Sequence, residues 1–124
     1  MKLRLFQNTV RWRLTQSEVG RLGEGRTLEQ ATWFSETDRF VSRIVPIPGP
    51  SARATCTAGV IELLLPAERI APWATDPSEV SIRIQQPIDA ERCLEILVEK
   101  DFECLHPEPG APGDTFPNPR RIRG

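Results

Sequence analysis

The strongest constraint in this sequence is one hydrophobic pattern that is written twice. In its first occurrence Lys2 to Phe6 alternates, with Met1, Leu3 and Leu5 on one side and Lys2 and Arg4 on the other. Val10 to Leu14 does the same, with Val10, Trp12 and Leu14 set against Arg11 and Arg13. A period of two predicts half-buried strands. Gln7-Asn8 between them is turn material, so the pair predicts a β-hairpin. The period then changes. Thr15-Gln16-Ser17-Glu18 spells a capping box, and Leu14 and Val19 occupy the two positions of a hydrophobic staple. Val19 and Leu22 share one side of a short helix that Gly23 and Gly25 end. Residues 26–34 and 39–47 predict a second hairpin around Ser35-Glu36-Thr37-Asp38.

Pro46, Pro48, Gly49, Pro50 and Ser51 break this order, and the pattern restarts after them. Residues 52–57 are strand-like, Ala58-Gly59 is a turn, and Val60 to Leu65 is a strongly apolar strand. Pro66 suits the first position of a helix. Pro72 predicts that this helix is very short. Val80, Ile82 and Ile84 alternate, and Cys93 to Val98 forms a last strand that ends in Glu99-Lys100-Asp101. Leu65, Ile70 and Trp73 stand 51 positions after Leu14, Val19 and Leu22, with one insertion near Thr75-Asp76. The expected fold is mostly β: a small barrel or sandwich of about eight strands with two short helices. It reads as a duplicated strand-strand-helix-strand-strand unit, with pseudo-repeats at 1–47 and 52–99. An α+β two-layer sheet is the alternative. The competing explanation of the repeat is a small β-protein that happens to use two helices.

A chain of 124 residues fits one domain. We place a β-rich domain at 1–105 and a proline-rich tail at 106–124. Pro107, Pro109, Pro112, Pro117 and Pro119 deny the tail helix or sheet interior. Phe116 is its expected anchor in a surface groove. No apolar run approaches the ~20 residues of a membrane helix. The N-terminus alternates where a signal peptide would be continuously apolar, so a cytoplasmic setting and no membrane are expected. Three cysteines without paired spacing argue against a disulfide framework, and Cys56 and Cys93 are expected as small core residues. Net charge is −1, but residues 1–50 carry +3, residues 51–106 carry −5 and the remainder +1. Either the two halves attract each other, or a basic face awaits an anionic partner.

Two resemblances follow. Met1-Lys2-Leu3-Arg4-Leu5, Arg13-Leu14-Thr15-Gln16-Ser17-Glu18-Val19, the run from Ile96 to Leu105 and Phe116-Pro117-Asn118-Pro119 are similar to a family of small uncharacterised bacterial proteins, a domain of unknown function. That resemblance implies no activity. Residues 59–84, from Gly59-Val60-Ile61-Glu62-Leu63-Leu64-Leu65-Pro66 onward, resemble the strand–proline–helix–strand unit of swapped-hairpin transition-state regulators. This second likeness implies a barrel of paired units that binds DNA. Pro72 and the acidic second half depart from its pattern.

Three groups of residues are candidates for chemistry. Lys2, Arg4, Arg11 and Arg13 point outward from the first hairpin and can form a basic plate for phosphates or an acidic partner. The plainer reading pairs them with Glu29, Glu62, Glu79 or Glu95 on a solvated sheet face. Trp12 falls on the opposite side, so the plate is expected to lack the aromatic platform that single-stranded nucleic acid uses. Asp101, Glu103, Cys104 and His106 crowd together and offer zinc or divalent-metal ligands, against the plainer reading of a strand end whose Phe102 and Leu105 pack. Glu99, Asp101 and Glu103 alternate and can act as paired acids, or lie on a surface. No nucleophile setting or phosphate-cradling loop is present in the sequence. The expected function is therefore a non-catalytic binding or assembly module without a cofactor. It would join a protein partner or a second copy through a sheet edge or the tail. Nucleic-acid binding through the basic hairpin and a metal protein or enzyme at 99–106 are the alternatives.

Overall fold

A computed structural model describes residues 1–101. The expectations for Glu103, Cys104, His106 and Phe116, and for the tail, lie outside the described residues. The described chain runs β1 (Lys2–Phe6), β2 (Thr9–Leu14), α1 (Gln16–Gly23), β3 (Leu28–Trp33), β4 (Arg39–Ile47), β5 (Arg53–Thr57), β6 (Val60–Pro66), α2 (Ala67–Thr75), β7 (Ser81–Pro87) and β8 (Cys93–Lys100). The protein is mostly β, with two four-stranded sheets ordered β1-β2-β8-β7 and β3-β4-β6-β5. The sheets do not close into a barrel; they form a sandwich.

Each sheet joins one hairpin from the first half of the chain to one from the second. The join is a central parallel pair, β2 with β8 and β4 with β6. The registers recur. Leu3 faces Trp12 in the first hairpin, and Ala54 faces Leu63 at positions 51 higher. Leu28 faces Ile44, and Ile82 faces Val98 at positions 54 higher. The three added residues lie between α2 and β7. The turns recur too: Gln7 and Ala58 both take positive φ, at 52° and 51°. At Ala58-Gly59 both central residues are left-handed, which matches the twist of a two-residue hairpin, whereas at Gln7-Asn8 only Gln7 is.

Leu14, Val19, Leu22, Leu65, Ile70 and Trp73 are all buried in one apolar cluster with Trp12, Ile44, Leu63 and Val98. Burial of that many large side chains is the main term holding the sheets together. Trp12 brings a polar atom with it, and its indole Nε1–H donates to Ser42 Oγ on the other sheet at 2.8 Å. The capping box forms as expected, with Thr15 N–H donating to Glu18 Oε1 at 2.9 Å and Glu18 N–H reaching the Thr15 hydroxyl. α1 packs on α2, so closely that a methyl on Gly23 would stand 3.3 Å from Ala74 Cβ.

Three expectations are corrected. Pro66 ends β6 and stands at the N-cap of α2, not inside its first turn. Pro72 does not keep α2 very short: the helix runs nine residues against eight for α1. It is closed beyond the proline by Asp76 N–H donating to Pro72 O. Cys56 and Cys93 are exposed and not core residues. Cys56 lies on edge strand β5, and Cys93 starts β8 at a hairpin end where no second layer covers it.

Candidate functional site

Side chains alternate across a strand, so the registers define the outer face of the first sheet. Buried Val10, Trp12, Ile96, Val98 and Ile82 mark the inner side. Opposite to it lie three rows. Lys2, Arg13, Glu99 and Ser81 form one; Arg4, Arg11, Leu97 and Arg83 the next; Phe6, Thr9, Glu95 and Gln85 the third. The four expected cations thus share one face, as the alternation predicts. Arg83, which sequence reasoning passed over, joins them from β7.

The acids that compensate this face come mainly from β8. Arg11 Nε lies 3.0 Å from Glu99 Oε1, Arg83 from Glu95 at 3.0 Å, and Lys2 from Asp101 at 3.5 Å. The plainer reading named Glu95 among its acids, but Glu95 pairs with Arg83, and the plate's own partners are Glu99 and Asp101. Although the Arg11–Glu99 pair is within ion-pair distance, its N–H is not aimed at the oxygen, and neither buried atom has an aligned hydrogen bond. Arg4 and Arg13 have no acidic partner among the described residues. Leu97 is buried although it points outward. It is flanked in register by Arg11 and Arg83, whose aliphatic stems can cover it.

Arg4, Phe6, Thr9 and Arg11 line a shallow hollow of about 360 Å³. Phe6 is 65% exposed there. The expectation that no aromatic accompanies the plate is therefore wrong. Phe6 continues the Lys2, Arg4 period by two, and that spacing was the signal for it.

The equivalent row of the second sheet is Thr55, Glu62, Arg43 and Glu29. Arg43 bonds Glu29 at 2.7 Å and Glu62 at 2.9 Å. The hydrogen bond to Glu62, then that to Glu29, holds its guanidinium above the usual arginine pKa. This face neutralises itself. Of the proposed metal group only Asp101 is described, and it faces Lys2. Among the described residues no three His, Cys, Asp or Glu side chains gather around a common point. A larger groove of about 670 Å³ runs from Leu14 and Val19 to Ala74, Lys100 and Asp101, beside the point where the described chain ends.

Fold and site together define a two-sheet β protein whose sheets each join two hairpins through a parallel central pair, with one partly uncompensated basic face. A family of unknown function, DUF7009, matches residues 1–120, and the chain belongs to it. No curated protein and no solved structure matches the chain. No described helix is long and apolar enough to cross a membrane.

Proposed function

We propose that this protein is a non-catalytic binding module of the cytoplasm, and that it works through the outer face of its first sheet on an anionic partner. One observation carries this reading: Arg4 stands without an acidic partner among the described residues, beside exposed Phe6 and in a hollow shared with Arg11. A solvated structural face has no need of a bare cation next to a bare aromatic ring. A carboxylate or phosphate in the hollow would meet two guanidiniums, each able to donate two hydrogen bonds in fixed geometry.

The same reading takes the chain as two fused copies of one unit, which exchange hairpins as swapped-hairpin regulators do. Recurrence of the registers and of the positive-φ turns supports it. Nucleic acid is the second form of the anionic partner, favoured by Phe6, because bases stack on aromatic rings beside phosphate-binding cations. The test is binding of labelled polyglutamate and of a single-stranded oligonucleotide at low and physiological salt. Binding that weakens with salt, and that an Arg4→Ala/Arg13→Ala double variant loses, is expected. Retention of neither probe at low salt would overturn the reading.

A further inference from the structure

Edge strand β5 shows how this protein closes a sheet edge. Gln86 reaches across from β7 of the other sheet; its Oε1 accepts from Ala54 N–H at 2.8 Å and its Nε2 donates to Ala54 C=O at 2.9 Å. Ala54 therefore turns its backbone groups off the edge of its sheet. Its pairing with Leu63 is equivalent to that of Leu3 with Trp12. In an antiparallel ladder the outward-turned residues alternate, so Leu3 and Leu5 turn theirs off the edge of β1. The residue equivalent to Gln86 is Thr32, 54 positions earlier, as Leu28 is to Ile82. A threonine is too short for the same bridge, and among the described residues no side chain bonds the backbone of Leu3 or Leu5.

What surrounds this open edge is specific. Leu5 is 59% exposed on the inner side, while Arg4 and Phe6 are exposed on the outer side. A row of free amides beside alternating side chains is the arrangement that an added strand uses: the backbone supplies affinity and the side-chain hollows supply selection. In the registers that pair Leu3 with Leu3 or with Leu5, a second copy adding antiparallel to β1 would set Arg4 against the other copy's Lys2 or Arg4, and like charges directly opposite are unfavourable. The remaining register, Leu5 opposite Leu5, avoids this but pairs only Arg4, Leu5 and Phe6 of β1. The other edges differ. β3 carries Glu29, already held by Arg43, and β7 carries Arg83, already held by Glu95.

We infer that β1 accepts, as an added strand, an extended peptide whose side chains alternate between acidic and apolar. This deepens the anionic-partner reading and rests on it. The acidic side chains lie beside Lys2 and Arg4 and enter the hollow toward Arg11. The apolar ones extend the inner surface past Leu3 and Leu5.

The test is fluorescence anisotropy with a labelled alternating Glu-Val octapeptide, the same peptide with its central Val replaced by Pro, and a single-stranded oligonucleotide. Slower hydrogen exchange of the Leu3 and Leu5 amides in the complex is the structural readout. Expected is binding of the Glu-Val peptide, weakened at least about tenfold by the proline and by Arg4→Glu, with both amides protected. Equal binding of the two peptides, with both amides unprotected, overturns strand addition and leaves an anion-binding face. Binding of the oligonucleotide alone overturns the peptide and keeps the face as a nucleic-acid surface. Binding of no probe removes both readings.

Discussion

Replacing Ser42 with alanine strikes the one described hydrogen bond between side chains that joins the two sheets. Trp12 is fully buried on β2, and Ser42, 6% exposed on β4, supplies the acceptor for its indole N–H at 2.8 Å. Ser42→Ala leaves that N–H in an apolar layer with no other bond, which costs about 1–3 kcal/mol. For a domain near this size each kcal/mol lowers Tm by about 4–8 °C. Trp12→Phe removes the donor as well as part of the ring, and so combines loss of the bond with loss of packing. The double variant Trp12→Phe/Ser42→Ala no longer has an orphaned indole. It should cost less than the sum of the single variants by about 1 kcal/mol or more. Urea unfolding followed by circular dichroism, with unchanged m-values, measures all three. A Ser42→Ala variant within about 0.5 kcal/mol of the parent, or strictly additive single variants, would refute the argument that this bond satisfies an otherwise stranded donor.

Gln86→Ala removes both bonds to Ala54 and should cost about 1–3 kcal/mol, with loss of hydrogen-exchange protection at the Ala54 amide; Thr32→Ala is the control that changes neither. Ala58 holds φ at 51°, so Ala58→Gly should raise stability by roughly 0.5–1 kcal/mol in urea. Gly59→Ala should lower it, because φ is 77° and the new Cβ would stand 3.1 Å from Arg39 O. At Glu18 burial pushes the carboxyl up, but hydrogen bonds from the Met1 ammonium and from Thr15 outweigh it and bring the pKa below the ordinary 4.5. A depressed folded-state pKa contributes stability that is present above 4.5 and is lost as pH falls through the lower folded value. Urea midpoints between about pH 3 and 6 should therefore fall less steeply with acid for Glu18→Gln than for the parent.

Much of the sandwich was legible because its information is local. Alternation at Lys2–Phe6 and Thr9–Leu14 names the two faces of a hairpin, and the Thr15–Glu18 box names the start of α1 without any tertiary contact. The fold's long-range choices carry no such mark. Nothing near Arg11 announces that β8 will lie beside it in parallel, so Glu99 and Asp101 could not be assigned as partners of the plate. Cys56 misled for a related reason: an inward parity on β5 means burial only if the edge is covered, and cover depends on the other sheet. Cys93 instead has the outward parity of Glu95, Leu97 and Glu99. Gln86 is unreadable as an edge closure, since its role exists only once β5 and β7 meet at a corner. Phe6 is different. Its period with Lys2 and Arg4 is local to β1 and places its ring on the same face as the two cations.

The two sheets also separate what the fold requires from what a partner would require. Their registers agree pair for pair, so backbone geometry gives no reason for their outer faces to differ. Yet one row reads Arg11, Leu97, Arg83 and its equivalent reads Glu62, Arg43, Glu29. In the second sheet a central arginine is satisfied by a carboxylate on each side, which closes that face to further anions. In the first sheet the centre is an uncharged leucine, and the flanking arginines must reach diagonally to Glu99 and Glu95, two residues either side of Leu97 on β8. Arg4, on the outermost strand, lies one strand beyond Arg11 and has no such neighbour. The uncompensated charge of Arg4 therefore falls at an edge with open amides, and a group that approaches β1 from outside can satisfy the backbone donors and this cation together.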